Sequence, residues 1–186
     1  MHLRETTRLE RHMWVFGYGS LLWDPGFDPA EQVRADLNGY LRSFCMWSIH
    51  HRGTPDQMGL VLALDEGAGA CAGMALRVQD GQVAHVLEYL RERELISSAY
   101  LEKWLPLTLQ DGRQVEAVTY VINRDHEQYC LLQLERQAQV IAQAVGGRGP
   151  NHEYLSKTVQ LLHDLNIPDA DLDWLQHRVS EIRENA

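Results

Sequence analysis

Paired thiols are missing from this sequence. Cys45, Cys71 and Cys130 are its only cysteines; their odd number, wide spacing and lack of a C-x-x-C pair exclude a disulfide framework and fit reduced thiols in a cytoplasm. Long apolar runs are missing too, because charges interrupt the strongest segments within a few positions, so no membrane-spanning segment is expected. Basic residues are scarce, 17 Lys and Arg against 26 Asp and Glu, and the net charge of −9 at pH 7 repels polyanions. With no segment that gathers Lys and Arg on one face, nucleic acid is excluded as an expected partner. Metal-ligand spacing is absent as well. His50 and His51 would point to opposite faces of a strand, and His126, His152 and His163 form no H-E-x-x-H or comparable pattern, so neither metal nor cofactor is expected. A small anionic substrate remains compatible with the acidic chain, since backbone N–H groups make a pocket locally positive whatever the global charge.

What is present fits one globular domain: 186 residues, 45% of them hydrophobic, are enough for a sizeable core. The stretch 1–12 mixes acids and bases without an apolar run, so it reads as a polar extension rather than a signal or transit peptide, and the domain is placed at 13–186. Short apolar runs at Met13–Phe16, Phe44–His50, Gly59–Leu64 and Cys71–Val78, separated by Gly-containing turns, predict strands. From Val83 the period changes, with Val83, Val86, Leu87 and Leu90 on one stripe of an amphipathic helix. Leu101–Leu109 and Gln114–Ile122 predict a hairpin around Gln110-Asp111-Gly112, with Pro106 marking part of its first strand as an edge. Helices are expected at Leu131–Val145, closed by Gly146-Gly147, at Asn151–Leu165, and at Leu172–Ile182, opened by Asp169 or Asp171. This order is α+β, without the regular β-α-β alternation of a doubly wound sheet.

Two features carry chemistry. The first strand runs into Gly17-Tyr18-Gly19-Ser20-Leu21-Leu22, where glycines permit backbone conformations closed to other residues and expose N–H groups able to hold an anion or an oxyanion; a plain strand-ending turn is the alternative. The dinucleotide fingerprint fails at Leu22, and the nucleophile elbow fails because Tyr18 and Leu22 stand where it needs Gly, so Ser20 reads as a hydrogen-bonding group. The second feature is Glu94, which at about 100° per residue returns to about 20° from Val83, on the core-facing stripe, while Glu92 faces water. A carboxylate there must be paired, hydrogen-bonded or protonated, and desolvation favours the protonated form, as an acid/base working near neutrality requires. Either the helix stops short of Glu94, or Glu94 pairs with a buried Arg, or it is catalytic.

The segments Trp14–Trp23, His51–Pro55, Gly59–Leu64 and Tyr89–Glu94, with weaker matches at Ala117–Val121, Tyr129 and Gly149–Leu155, closely resemble the ChaC family of γ-glutamylcyclotransferases in order and spacing. The resemblance implies a small mixed β-barrel flanked by helices. It implies that the loop Gly17, Tyr18, Gly19, Ser20, Leu21 and Leu22 binds a γ-glutamyl group, that Glu94 is the catalytic acid/base and that Tyr129 contacts substrate. Glutathione is then the expected substrate, cleaved to 5-oxoproline and Cys-Gly by a cofactor-free cytoplasmic monomer. Three rivals stand beside this reading: other γ-glutamyl substrates, a non-catalytic γ-glutamyl-binding protein, and a hydrolase built on Cys130 and His126. Arg52 is a further carboxylate-binding candidate, with an ion-pair role as its alternative.

Overall fold

The computed structural model describes residues 12–186, so all but His12 of the expected N-terminal extension lies outside the described residues. Two compact units make up the chain. The first takes the residues up to Arg42 together with Leu64–Asn123, and the second Ser43–Ala63 with Arg124–Ala186.

Five strands close a barrel in the order β1-β3-β2-β4-β5, with β2 running on into residues of the second unit and β3 beginning in it. β1 (Trp14–Gly17) runs antiparallel to β3 (Gly59–Arg77), from Trp14↔Arg77 to Gly17↔Met74, and parallel to β5 (Gln114–Ile122) at Trp14↔Ala117 and Val15↔Val118. A further parallel pairing, Leu64↔Val121, joins β3 to β5. With β1, β3 and β4 as neighbours, β5 is buried continuously from Ala117 to Ile122, which is why Ala117-Val118-Thr119-Tyr120-Val121-Ile122 reads as an apolar run rather than an alternation. β4 (Tyr100–Leu109) forms the expected hairpin with β5, from Tyr100↔Ile122 to Thr108↔Gln114. β2 (Glu31–Ser48) pairs with β4 at Ala35↔Leu109 and Asp36↔Thr108, past the exposed Pro106.

Helix α1 (Val83–Glu94) packs Val86 and Leu90 into a core with Met13, Val15, Leu76, Val118 and Tyr120, while Val83 and Leu87 flank it. Burying two such side chains stabilises the helix by about 3–6 kcal/mol, enough to fix which face turns inward. The expected stripe is therefore real.

In the second unit, α2 (Leu134–Gln143), α3 (Asn151–Asp164) and α4 (Ala170–Glu184) pack on one another. Of the two capping candidates, Asp169 caps α4: its Oδ1 accepts from the Leu172 N–H at 3.0 Å. At the start of α3 the side chain of Asn151, fully buried, imitates a strand. Its Oδ1 accepts from Leu60 N and its Nδ2 donates to Leu60 O, both at 2.8 Å, and two residues on the Tyr154 hydroxyl accepts from Leu62 N at 3.1 Å. Gly59 is required beside it, since a Cβ there would lie 2.2 Å from Arg52 O and 2.8 Å from Asn151 Oδ1.

Three expectations need correction. β2 begins at Glu31 rather than Phe44, because Asp36, Asn38 and Gly39 gave its first half a loop-like composition although Ala35 and Leu37 are buried. Gly59–Leu64 and Cys71–Val78 belong to one strand, β3, that passes through Gly67-Ala68-Gly69-Ala70, a stretch whose composition imitates a turn. Finally, α2 stops at Gln143. Gly146 does not merely end it but pairs with Gly149 in a two-stranded ribbon of β6 (Val145–Gly146) and β7 (Gly149–Pro150). Among the described residues no helix is long and apolar enough to cross a membrane.

Replacing Asn151 by Ala strands both the N–H and the carbonyl of Leu60 in the interior. We expect a loss of about 2–4 kcal/mol, read as a lower urea midpoint at unchanged slope.

Candidate active site

β1 delivers the chain to Tyr18, whose ring is buried beside Phe16 and whose hydroxyl donates to Tyr120 O at 3.0 Å. The Tyr18 carbonyl is held by Arg42 Nε at 2.6 Å, and the same guanidinium donates to Ala72 O. Ser20–Leu22 then wind into a single 3-10 turn, with Leu22 N donating to Gly19 O and Asp24 N to Ser20 O, both at 2.9 Å. The N–H groups of Ser20 and Leu21 open that turn and have no acceptor inside it, which is the local chemistry of an anion or oxyanion cradle.

The two loop glycines differ from each other. Gly17 and Gly19 are absent from the positive-φ glycines, Gly19 having φ −144°, and a Cβ on Gly17 would meet only ordinary contacts from 3.4 Å. The positions that tolerate nothing larger lie next to the loop. At Gly73 of β3 a Cβ would stand 2.4 Å from Gly17 O, and at Gly26, with φ +78°, it would stand 2.2 Å from the ring of Tyr89. Gly19 in addition pairs its φ of −144° with a ψ of −120°, outside the helical and extended regions, so close backbone approach and an unusual glycine conformation together shape the loop.

Glu94 is the last residue of α1, so the helix does not stop short of it. Its side chain is 15% exposed, and Glu92, two residues earlier, faces solvent as expected. The alternative of pairing with an Arg is partly realised: Arg93 Nε lies 3.3 Å from Glu94 Oε1. The same guanidinium donates to Ser20 Oγ at 3.2 Å, to Tyr89 Oη at 3.3 Å and to the carbonyl of Asp24. Glu94 and the loop are thus joined through one side chain.

A second carboxylate stands nearby. Glu102 of β4 receives both Nε and Nη2 of Arg91, at 2.9 and 2.8 Å, and the Tyr120 hydroxyl at 3.2 Å. Arg91 above all, and then Tyr120, hold the Glu102 carboxyl below the ordinary carboxylate range against the opposing effect of burial. Tyr120 is pushed well above the usual phenol range, by burial first and then by the charges of Glu102 and Glu94, so it remains a protonated donor at neutral pH. Sequence reasoning missed Arg91, Arg93, Glu102 and Tyr120. One signal was available: counting back along the hairpin from its Asp111-Gly112 turn puts Glu102 opposite Tyr120.

The remaining candidates belong to the second unit. Tyr129 belongs to the second unit, where its backbone bridges Met46 and Arg124 sits 5.9 Å from its ring centroid. Cys130 is buried and its thiol is pushed up to about 11 by burial, while His126 Nδ1 accepts from Gln128 N; a thiol protonated at neutral pH does not suit the hydrolase reading. Arg52 is buried over Tyr154 and donates to Pro150 O at 3.1 Å, a packing role. A cavity of about 550 Å³ lies along the segment after the loop, lined by Leu22, Trp23, Phe27 and Gln32, and Glu94 is not among its walls.

With this geometry in hand, the fold class follows. The crystal structure of a glutathione-specific γ-glutamyl cyclotransferase from yeast superposes with a TM-score of 0.84 at 24% identity, covering 95% of this chain and 99% of that one. The barrel is therefore of the γ-glutamyl cyclotransferase type. Residues 13–182 match the ChaC-like protein family, and the chain belongs to that family. It is 36% identical over 177 residues to a glutathione-specific γ-glutamylcyclotransferase of Escherichia coli, covering 93% of this chain and 75% of the relative. The enzyme of the same name from Schizosaccharomyces pombe is 30% identical, with coverage of 90% and 91%.

The Glu102 pair generates a pH prediction. Its folded value lies below the unfolded 4.5, so the stability it adds is fully present above that pH and is lost as pH falls through the lower folded value. Thermal midpoints measured from pH 5 down to pH 3 should fall less steeply for Glu102→Gln than for the parent protein, and an unchanged slope would contradict the pairing.

Proposed function

We propose that this protein is a glutathione-specific γ-glutamylcyclotransferase. The substrate's α-amino nitrogen attacks its own γ-carbonyl carbon; a C–N bond of the five-membered lactam forms, the original amide C–N bond breaks, and 5-oxoproline and Cys-Gly leave. Because nucleophile and electrophile share one molecule, holding the γ-glutamyl unit curled draws on effective molarity worth up to about 7–11 kcal/mol. Glu94 accepts a proton from the attacking amine and returns it to the leaving nitrogen, a contribution of roughly 10²–10⁴-fold. The Gly17–Leu22 loop holds the γ-glutamyl group through its N–H groups and the Ser20 hydroxyl.

The observation that carries this reading is the Arg93 fork, which joins the Glu94 carboxylate to Ser20 of the loop. The names of the relatives supply the substrate class. Tyr129 as a substrate contact rests on the resemblance alone. Buried free thiols at Cys45, Cys71 and Cys130 fit a reducing cytoplasm, and we place the protein there as a monomer.

Purified protein incubated with glutathione should release 5-oxoproline and Cys-Gly in equal amounts, and Glu94→Gln should lower kcat by at least about 100-fold. Equal rates for the two proteins would end the Glu94 assignment. A parent protein active on γ-glutamyl-alanine but not on glutathione would retain the reaction and change the substrate.

A further inference from the structure

Arg93 stands between Glu92 and Glu94 on α1 and, seven residues after the buried Val86, comes round to about 20° from it, so a charged side chain there needs partners. Its side chain is only 17% exposed. Instead of solvent, each of its three nitrogens meets a specific partner: Nε faces Glu94 Oε1 at 3.3 Å, Nη1 donates to the Asp24 carbonyl and to Tyr89 Oη, and Nη2 donates to Ser20 Oγ at 3.2 Å. Tyr89 in turn covers Gly26, whose φ of +78° turns the chain back after the loop. Arg93 is thereby connected to the helix end, the loop and the turn that follows the loop, all within the first unit.

We propose that Arg93 is the positioning residue of the site, fixing one oxygen of Glu94 while it sets the Ser20 hydroxyl as a hydrogen-bond donor. The second half follows from valence. A guanidinium only donates, so Ser20 Oγ accepts from Nη2 and its own proton is directed elsewhere, toward whatever oxygen occupies the loop. The first half follows from geometry: with Oε1 engaged by Nε, Glu94 cannot rotate without losing a charge-assisted contact, and Oε2 keeps one orientation for proton transfer. A lysine has neither the planar fork nor the reach to serve several partners at once, so the role belongs to arginine rather than to positive charge as such.

This inference rests on the assignment of Glu94 as acid/base, and its test separates the two. The charged and titratable groups around this corner are Arg91 and Arg93 of α1, Asp24 after the loop, Glu102 of β4 and Tyr120 of β5; Arg91 and Tyr120 are both engaged by Glu102. Steady-state kinetics with glutathione across pH 5–9 are measured for the parent, Arg93→Met, Arg93→Lys, Ser20→Ala, Ser20→Ala/Arg93→Met and Glu94→Gln, with thermal melting of each. For Arg93→Met we expect kcat to fall about 10–100-fold and the acid limb of kcat/KM to move to higher pH, since a carboxylate that loses a neighbouring cation binds its proton more tightly. Arg93→Lys should return the limb toward the parent position and recover only part of kcat. The double variant should lose less than the product of the single losses, because one interaction is removed twice.

A folded Arg93→Met with an unmoved limb and kcat within about twofold of the parent overturns the proposal, as do fully multiplicative losses in the double variant. If Arg93→Met does not fold, Arg93→Lys decides: reduced kcat with the limb in place supports the proposal, and parental kcat overturns it. Glu94→Gln at the parental rate removes the acid/base assignment and this inference together. An inactive Glu94→Gln beside an unmoved Arg93→Met limb removes this inference alone.

Discussion

Everything at the candidate site depends on how α1 is seated against the barrel. Val86 and Leu90 are almost wholly removed from solvent among Met13, Val15, Leu76, Val118 and Tyr120, so the helix has one azimuth available to it. Rotating it by two residues, about 200°, would trade that apolar contact for Glu88 and Glu92. The hydrophobic term therefore does electrostatic work. It places a carboxylate at the helix end against the barrel, at 15% exposure, where water would not otherwise leave it.

That placement creates a demand for partners, and the local structure answers it twice with different chemistry. Glu102 has its oxygens engaged by Arg91 and by the Tyr120 hydroxyl, which holds it ionised and leaves it poorly suited to taking up a proton. Glu94 is met instead by the Nε of an arginine whose Nη2 donates to Ser20 of the loop. Two carboxylates a helix-to-hairpin distance apart thus have divergent duties: one is a fixed charge beside a buried phenol, and the other is tied to the element proposed to hold substrate. Tyr120 connects them, since it donates to Glu102, feels the charge of both, and accepts the Tyr18 hydroxyl on its own carbonyl.

Much of this was legible in the sequence wherever one periodicity held without interruption. The stripe from Val83 to Leu90 predicted the helix and its inward face, and Glu94 was found by extending it. The hairpin from Leu101 to Ile122 was legible because an Asp-Gly turn separates two apolar runs. What failed to show was long-range pairing. The first half of β2 does alternate, Val33-Arg34-Ala35-Asp36-Leu37-Asn38, but Asp36, Asn38 and Gly39 weaken that strand pattern, and β3 passes through four consecutive Gly and Ala that advertise no strand until a neighbouring strand supplies hydrogen bonds. The site divides along the same line. The loop motif and Glu94 are local signals, whereas the Arg93–Ser20 contact spans 73 positions and the Tyr18–Tyr120 bond 102, distances that no local pattern encodes.

The loop shares its steric demands with the residues beside it. Its glycines suggested dihedral freedom, which Gly19 uses at φ −144° and ψ −120°, while further steric demand falls on Gly73 and Gly26 beside them. Gly73 is needed because β3 crosses the Gly17 carbonyl too closely for any Cβ, and Gly26 because the ring that Arg93 touches lies on top of it. The backbone of the loop is consequently set from outside: by β3 beneath Gly17, by Arg42 on the Tyr18 carbonyl and by Arg93 on Ser20. For the substrate-holding role proposed above, a loop fixed in this way has its N–H groups oriented before any ligand arrives, and such preorganisation is what makes backbone donors effective toward a developing negative charge.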